Sequence, residues 1–127
     1  MNVIKHGIDI VDVGHFSSLF DDTAGDFIER CFTRSEQMHA RSLTNEAESL
    51  AGKFAAKEAV AKALGRGFGG SYGPKDIEIE HHDTGEPFIV LHGAAAAVSK
   101  ELGIVAWSIS ISHAGALAVA SVIALAA

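Results

Sequence analysis

The first strongly patterned stretch of the chain is GIDIVDV, residues 7–13, where β-branched side chains are interrupted by two aspartates. Val and Ile favour strands and Asp disfavours them, so residues 3–13 are predicted to form a strand that carries unusual carboxylates. Alternation divides the run between two faces, one with Ile8, Ile10 and Asp12 and the other with Asp9, Val11 and Val13. Asp9 therefore shares its face with valines, which is an uncommon place for a charged side chain.

Helical and strand patterns continue through the rest of the chain. A helix is predicted over residues 16–30, and the TRSE run at 33–36 is a capping box that begins a short helix. The most regular helix lies within residues 45–65, where Asn45 caps the start and Gly65 ends it. The second half predicts strands at 76–82 and 88–92, an alanine-rich helix up to 102, and strands at 105–113 and 116–124.

This order mixes strands and helices without strict alternation of the two, which favours an α+β fold over a doubly wound sheet. At 127 residues the chain has the length of one ordinary domain, residues 1–127. Its hydrophobic fraction of 48% and its 2 prolines are typical of a globular chain with a genuine core.

Charge, cysteine content and apolar segments narrow the classes of partner. A formal net charge of -6 argues against a general nucleic-acid binder, which normally presents a basic surface. The single cysteine, Cys31, excludes an internal disulfide framework and stands among apolar residues, so a reduced core thiol is expected. The start lacks the pattern of a signal peptide, and the apolar end is shorter than a bilayer span of ~20 residues. We therefore expect a soluble, cytoplasmic protein without membrane or nucleic-acid partners.

Glu58 is the second unusual carboxylate. Leu50 and Ala61 belong to the inward stripe of the long helix, and Glu58 lies on the same apolar arc. The simpler alternative is a partly solvated glutamate paired with Lys62 one turn later. Asp9 likewise has an alternative role, in which it accepts backbone N–H groups at the end of its strand.

Two carboxylates that are both drawn toward a core repel each other unless a proton or a cation lies between them. Mg²⁺ typically takes one or two protein carboxylates, with waters and substrate phosphates completing its coordination. The pair of Asp9 and Glu58 is therefore compatible with a magnesium site, a choice that the residues alone leave open.

Histidines and a glycine-rich loop provide further candidates. Alternation in SISISHAG places His113 at the end of an apolar strand face, where it is either a satisfied rim residue or part of a site. His81 and His82 lack the spacing of a zinc site and are interpreted as surface residues. The loop RGFGGSYG, residues 66–73, follows a helix instead of a strand, so it does not fit a nucleotide-binding fingerprint, although its backbone and Arg66 could approach a ligand.

Five motifs together resemble one family. GIDIVDV, FTRSEQ, LAGKFAAKEAVAKALG, KDIEIEHHDTGEP and SISISHAGALAVASVIA are similar, in the same order, to the holo-[acyl-carrier-protein] synthases, the small single-module 4′-phosphopantetheinyl transferases. The likeness spans nearly the whole chain. Its most specific signals are the Asp of the first strand, the K-E-A run of the long helix and the terminal SISH.

The resemblance implies a small α+β domain with a mixed or antiparallel sheet and a long central helix. It implies transfer of phosphopantetheine from coenzyme A to a serine of an apo acyl carrier protein, release of adenosine 3′,5′-bisphosphate, and a homotrimer with active sites between subunits. Asp9 and Glu58 match the family's magnesium ligands, and Lys62, the third catalytic residue, would face the phosphates or assist proton removal. The coenzyme A cleft is matched by Lys53, Lys62, Gly65, Pro87 and His113.

The segment after the first strand departs from the family pattern. The family commonly carries an Arg there, at the start of a basic helix that grips the acidic carrier protein. This chain instead has His15, then the acidic residues Asp21, Asp22, Asp26 and Glu29 before Arg30. An altered docking surface is therefore expected: either the partner presents a neutral or basic face, or contact shifts to Arg30, Arg34 and Arg41.

Two other functions stay open at the level of the residues. A metal-dependent hydrolase of nucleotides or pyrophosphates could use the same carboxylates, and it would consume coenzyme A without any acceptor serine. A non-catalytic trimeric binding module could keep the fold without the activity, but the retention of Asp9, Glu58 and Lys62 argues against it.

Overall fold

The strands of the computed structural model form two antiparallel sheets. The structure describes residues 1–22, 26–65, 67–68 and 70–127, and for residues 20–22 it describes only the backbone. The larger sheet has the order β1-β5-β4, formed by β1 (Asn2–Asp12), β4 (Ile104–Ala114) and β5 (Leu117–Ala126). The smaller is a hairpin of β2 (Ile77–His81) and β3 (Pro87–Leu91). Both sheets are antiparallel, so the mixed arrangement that the resemblance allowed is not the one found.

Five α-helices lie among these strands in the described part of the chain. They are α1 (Val13–Asp22), α2 (Asp26–Cys31), α3 (Arg34–Arg41), α4 (Glu46–Leu64) and α5 (Gly93–Glu101), and a short 3-10 helix covers Pro74–Asp76. The predicted α+β class is confirmed, and so are the two closing strands and the long helix. No described helix is long and apolar enough to cross a membrane.

The single helix predicted over residues 16–30 is wrong. Two helices, α1 and α2, occupy the region, and residues 23–25 between them lie outside the described part of the chain. The strand also ends one residue earlier than predicted, because the Asp12 Oδ1 accepts the backbone N–H of His15 at 2.8 Å and so caps the first turn of α1.

The predicted helix caps are confirmed. The Thr33 hydroxyl accepts the N–H of Glu36, and the Glu36 carboxylate accepts the N–H of Thr33 at 2.8 Å, which is a complete capping box for α3. Asn45 caps α4 by accepting the Glu48 N–H at 2.9 Å. Gly65 ends α4 in the left-handed conformation with φ of 83°, which a glycine adopts without strain.

Helix α4 occupies the centre of the molecule, with 12 of its 19 residues buried. It packs on β1 and β5 of the larger sheet, so it is surrounded by protein instead of showing one buried stripe. Gly7 permits this close packing, since a Cβ at that position would overlap the carbonyl oxygen of Ala59. The bare backbone of β1 therefore rests directly on α4, and Asp9 is fixed two residues further along the same strand face.

The two faces of the larger sheet differ in their cover. The face toward α4 carries the buried residues Gly7, Ala120 and Val122. On the opposite face Ile8 and Ile10 are 53% and 59% exposed. This agrees with the predicted alternation of β1 and leaves apolar surface open on one side of the sheet.

Candidate active site

Asp9, Glu58 and Lys62 are brought together where β1 crosses α4. The Lys62 Nζ lies 2.9 Å from the Asp9 Oδ1 and donates a second hydrogen bond of 2.9 Å to the carbonyl oxygen of Ile8. Glu58 precedes Lys62 by four residues and is therefore its neighbour on one side of the helix. Two rigid elements thus present two carboxylates and one ammonium group to a common point.

The electrostatics of Glu58 reflect this crowding. Burial raises the pKa of its carboxyl group, the neighbouring Asp9 carboxylate raises it further, and Lys62 partly opposes both effects. The simpler alternative, a surface ion pair of Glu58 with Lys62, is not found among the ion pairs of the described residues, because Lys62 binds Asp9 instead. The side chain of Asp9 is paired in the same way and is not engaged with backbone N–H groups of its own strand.

These residues provide a donor set suited to a hard divalent cation. Two carboxylates whose charges repel would both be stabilised by Mg²⁺, which prefers oxygen ligands. The described residues contain no group of three His, Cys, Asp or Glu side chains arranged to hold a metal by themselves. The described part of the chain therefore offers two carboxylate ligands at this point, and water or substrate phosphates would have to supply the others.

Lys53, Pro87 and His113 line a separate cavity of about 420 Å³. Its walls come from α3, α4, the β2–β3 turn and β4, and also include His39, Glu48, Ser49, His81 and Ile111. Gly65 is not part of it and lies at the end of α4, three residues after Lys62. The predicted coenzyme A residues are thus divided between the cavity and the region around Asp9.

The polar side chains of the cavity are held by specific contacts. Lys53 is only 1% exposed, and burial lowers its pKa to about 8, although the Glu36 and Glu80 carboxylates act in the opposite direction. At the other wall the Nε2 of His113 donates to the carbonyl oxygen of Glu48 at 2.9 Å. His113 is thereby a fixed rim residue of the cavity, so the two roles that the sequence left open for it are compatible.

Comparisons with known proteins agree on the family. The sequence matches the 4′-phosphopantetheinyl transferase superfamily over residues 5–120. The holo-[acyl-carrier-protein] synthase of Natranaerobius thermophilus is 40% identical over 121 residues, which cover 95% of this chain and 96% of the relative. That of Caldicellulosiruptor bescii is 43% identical over 124 residues, covering 96% and 98% of the two chains.

This chain belongs to the 4′-phosphopantetheinyl transferase superfamily.

Solved structures of superfamily members share the fold of the chain. The holo-[acyl-carrier-protein] synthase from Neisseria meningitidis has a TM-score of 0.89 at 31% identity and covers 98% of this chain and 99% of its own. The Helicobacter pylori synthase, solved in complex with coenzyme A, has a TM-score of 0.84 at 32% identity, with coverage of 94% and 99%. The family, fold and enzyme class that the sequence motifs predicted are confirmed.

The two groups of candidate residues in this superfamily member lie on opposite sides of α4. Lys53 and Lys62 are nine residues apart, which corresponds to two and a half helical turns and ~13 Å along the axis. Half a turn of rotation directs their side chains away from each other. One copy of the chain therefore keeps its cavity and its carboxylate pair apart.

Several polar residues escaped the sequence reasoning. His81 was predicted to lie on the surface, and that prediction is wrong: the ring is half-buried, lines the cavity and stacks on His39 at 4.0 Å with an interplanar angle of 10°. Its neighbour His82 is exposed as expected. The histidines are far apart in sequence, so only the packing of β2 against α3 brings them together. Arg66, proposed to approach a ligand, lies outside the described residues.

A buried ion pair was also missed. The Lys57 Nζ lies 2.9 Å from the Glu36 Oε1, and both side chains are fully buried. Lys57 also donates to the carbonyl oxygens of Pro74 and Ile77, and Glu36 accepts the N–H of Ile79. The pair joins α3, α4 and β2 behind the cavity. Lys57 stands inside an alanine-rich helix, which could have indicated a buried charge. Its partner Glu36 was assigned only to the capping box of the TRSE motif.

Proposed function

We propose that the chain is a holo-[acyl-carrier-protein] synthase, which transfers 4′-phosphopantetheine from coenzyme A to a serine of an apo acyl carrier protein and releases adenosine 3′,5′-bisphosphate. The observation that carries the proposal is the convergence of Asp9, Glu58 and Lys62 on two rigid elements of a 4′-phosphopantetheinyl transferase fold. Coenzyme A is the donor in this proposal because the Helicobacter pylori relative was solved in complex with it.

In the proposed reaction the serine oxygen attacks the phosphorus atom that bears the pantetheine, and the bond from that phosphorus to the nucleotide phosphate breaks. Negative charge on the transferring and leaving oxygens must be offset by fixed positive groups. Asp9 and Glu58 would hold Mg²⁺, which supplies positive charge at the diphosphate when bound. Lys62 either adds its own charge beside the phosphates or assists removal of the serine proton, and Asp9 holds its ammonium group in place.

The cavity with Lys53, Pro87 and His113 is proposed to bind another part of coenzyme A. Its volume of about 420 Å³ and its buried ammonium group suit a phosphorylated small molecule. Gly65 and Lys62 would contact the donor from the end of α4 near the carboxylates. The donor would then bridge two clusters that a single copy keeps on opposite sides of its helix.

We further propose a homotrimer in which one copy provides the carboxylate pair and its neighbour provides the cavity. Two features support it: the separation of the clusters on α4, and the open sheet face where Ile8 and Ile10 are 53% and 59% exposed. An apolar sheet face of this kind is normally covered in the functional protein.

The proposal also includes a cytoplasmic location, which the buried thiol of Cys31 suits.

The deciding experiment is intact mass spectrometry of purified apo acyl carrier proteins after incubation with the protein, coenzyme A and Mg²⁺. The carrier should gain the mass of one phosphopantetheine, and a carrier with its acceptor serine changed to alanine should gain none. Addition of a chelator should stop the transfer. Loss of coenzyme A without any gain on the carrier would identify a hydrolase, and binding of coenzyme A without either change would identify a non-catalytic module.

A further inference from the structure

The ammonium group of Lys53 is buried without a counter-ion. Its side chain is 1% exposed, yet no carboxylate oxygen of the described residues lies within ion-pair distance of its Nζ. Buried lysines are usually paired with an acidic group, because an isolated charge is costly to desolvate. The positive charge of Lys53 at the cavity wall is therefore available to an anionic ligand.

Two neutral acceptors hold this ammonium group. Its Nζ donates to the Oγ of Ser49 at 2.9 Å and to the Nδ1 of His39 at 2.7 Å. Ser49 precedes Lys53 by one turn of α4, whereas His39 belongs to α3 and approaches from across the cavity wall. An ammonium group has three N–H donors, so one remains for a ligand after these two bonds are made.

The imidazole of His39 is itself fixed. His81 stacks on it at 4.0 Å and nearly parallel, and the Nδ1 of His81 is the one buried side-chain nitrogen or oxygen in the described chain without a hydrogen-bond partner. Burial lowers the pKa of His81 to about 4, assisted by the charge of Lys53 and by His39. Burial and Lys53 also lower the pKa of His39. Both rings are therefore neutral near pH 7, and a neutral His39 can accept the lysine hydrogen bond.

We propose that His39, with its ring fixed by the stack on His81, is a positioning residue that holds the Lys53 ammonium group for a phosphate of the donor. The inference rests on the proposed function, since it takes coenzyme A as the ligand of the cavity. Each member is placed by a different element: α3 carries His39, β2 carries His81 and α4 carries Lys53. The other charged and titratable groups around the cluster are Glu36 on α3, Lys57 and Glu48 on α4, Glu80 on β2 and His113 on β4.

Loss of the His39 acceptor has a pH signature. A hydrogen bond to the charged form of a lysine raises its pKa, so removal of the acceptor favours the neutral amine. The pKa of Lys53 is about 8, and coenzyme A affinity should therefore fall as the pH rises through that value. Without His39 as an acceptor this alkaline loss should begin at a lower pH. Damage to the fold alone would not move the pH dependence in that direction.

The test compares two substitutions at His39 in the full-length protein. His39→Phe keeps a flat ring against His81 and removes the acceptor, whereas His39→Asn places a carbonyl oxygen near the position of Nδ1. Ser49→Ala removes the other acceptor without touching α3. His82→Asn is the matched control, since His82 is an exposed histidine that does not line the cavity. Coenzyme A binding by calorimetry and steady-state transfer are measured from pH 6 to 9.

His39→Phe should raise the Kd and the KM for coenzyme A roughly tenfold at pH 7.5 with little change in kcat. It should also shift the alkaline loss of affinity about one pH unit lower. Ser49→Ala should show a smaller shift of the same sign, and His39→Asn and His82→Asn should resemble the wild type. Repeating the titrations with dephospho-coenzyme A, which lacks the 3′-phosphate, identifies which phosphate meets Lys53: the dependence on His39 is lost if that phosphate is the missing one and is kept if it belongs to the diphosphate.

Unchanged KM and pH dependence in folded His39→Phe would overturn the inference, as would a His39→Asn variant that is no better than His39→Phe. Failure of the wild-type protein to bind coenzyme A would instead contradict the proposed function. The two failures are therefore distinguishable in the same set of titrations.

Discussion

At the scale of single residues, the neighbouring carboxylates of Asp9 and Glu58 repel each other. Burial raises the pKa of the Glu58 carboxyl group, and the neighbouring Asp9 carboxylate raises it further. Lys62 offsets part of the repulsion through its 2.9 Å contact with Asp9. A second cation would offset the remainder, which is the physical reason to place Mg²⁺ here.

Substitution of either carboxylate by its amide tests this arrangement. Asp9→Asn and Glu58→Gln should each reduce phosphopantetheine transfer by ~100-fold or more, because a group that stabilises transition-state charge is lost. The overall fold should persist, since the amides are nearly isosteric with the acids. Transfer rates at saturating Mg²⁺ provide the measurement, with circular dichroism as the control for folding. Near-normal turnover of either variant would contradict the proposed ligation.

The buried ion pair of Lys57 and Glu36 is expected to stabilise the fold and to take no direct part in catalysis. Lys57→Met should destabilise the protein by about 3–5 kcal/mol, because it leaves the Glu36 carboxylate buried without its cation. The double variant with Glu36→Gln should recover part of the loss, since no isolated charge then remains. Urea denaturation at one fixed protein concentration measures both. If the double variant is as unstable as the sum of the two single variants, the pair does not act as a unit.

The sequence revealed residues that break a local pattern but not those that depend on packing. Asp9 was found because aspartate is unusual in a β-branched strand, and Glu58 because it lies on an apolar arc. Nothing local distinguishes His39 from a solvent-facing residue, and the capping box that marks Glu36 gives no sign of its buried partner. Their partners His81 and Lys57 are 42 and 21 positions away, so their roles exist only after α3 has packed against α4 and β2.

At the scale of elements, α4 determines the placement of nearly every functional group. Its start carries Ser49 and Lys53 at the cavity, and its end carries Glu58 and Lys62 beside β1. Its limits were predictable because Asn45 and Gly65 are strong local signals for a cap and a stop. Its burial on nearly all sides was not, because small alanines pack closely against a sheet without producing a clear amphipathic stripe.

The limits of α1 and α2, in contrast to those of α4, were not predicted from the sequence. One acidic helix was predicted because the apolar pattern continues through residues 16–30, yet two helices form. Helix α1 contains no Lys or Arg, and His15 near its start is exposed. The first described Lys or Arg residues after α1 are the exposed Arg30 and Arg34, at the end of α2 and the start of α3.

The absence of basic residues from α1 leads to a prediction about the carrier protein. If α1 docks an acidic partner, His15→Arg should lower the KM for that carrier about threefold, the effect of one exposed charge pair worth ~0.6 kcal/mol. The kcat should be unchanged because the carboxylate pair is untouched. Transfer to a standard acidic fatty-acid carrier is measured at low and high salt, and the gain should shrink with salt. Efficient wild-type transfer with no gain from the Arg would show that the departure at His15 is harmless.

At the scale of the whole molecule, two observations concern assembly. The sheet face with Ile8 and Ile10 is open, and the two clusters of candidate residues lie on opposite sides of α4. The sequence indicates the first through the alternation of β1. The spacing of Lys53 and Lys62 also places them on opposite sides of a helix, but the sequence does not specify which elements surround each side. The proposed association of copies would account for both features at once.

Mixed assemblies provide the sharpest test of a site shared between copies. Asp9→Asn lacks the carboxylate pair but keeps the cavity, whereas Lys53→Met lacks the buried ammonium group but keeps the pair. In trimers assembled from an equal mixture of both variants, an active site is intact only when a Lys53→Met copy contributes the carboxylates and an Asp9→Asn neighbour contributes the cavity. Random assembly makes this true for about a quarter of the sites.

At a coenzyme A concentration low enough that each variant alone is nearly inactive, the two variants should therefore recover about a quarter of the wild-type rate when they are unfolded together and refolded. The same variants refolded separately and then combined should stay inactive if copies do not exchange. Sedimentation of each sample establishes its oligomeric state. A fully active monomer, or refolded mixtures with no more activity than their components, would contradict the shared site. Each copy would then have to form a complete active site by itself, although its cavity and its carboxylate pair lie on opposite sides of α4.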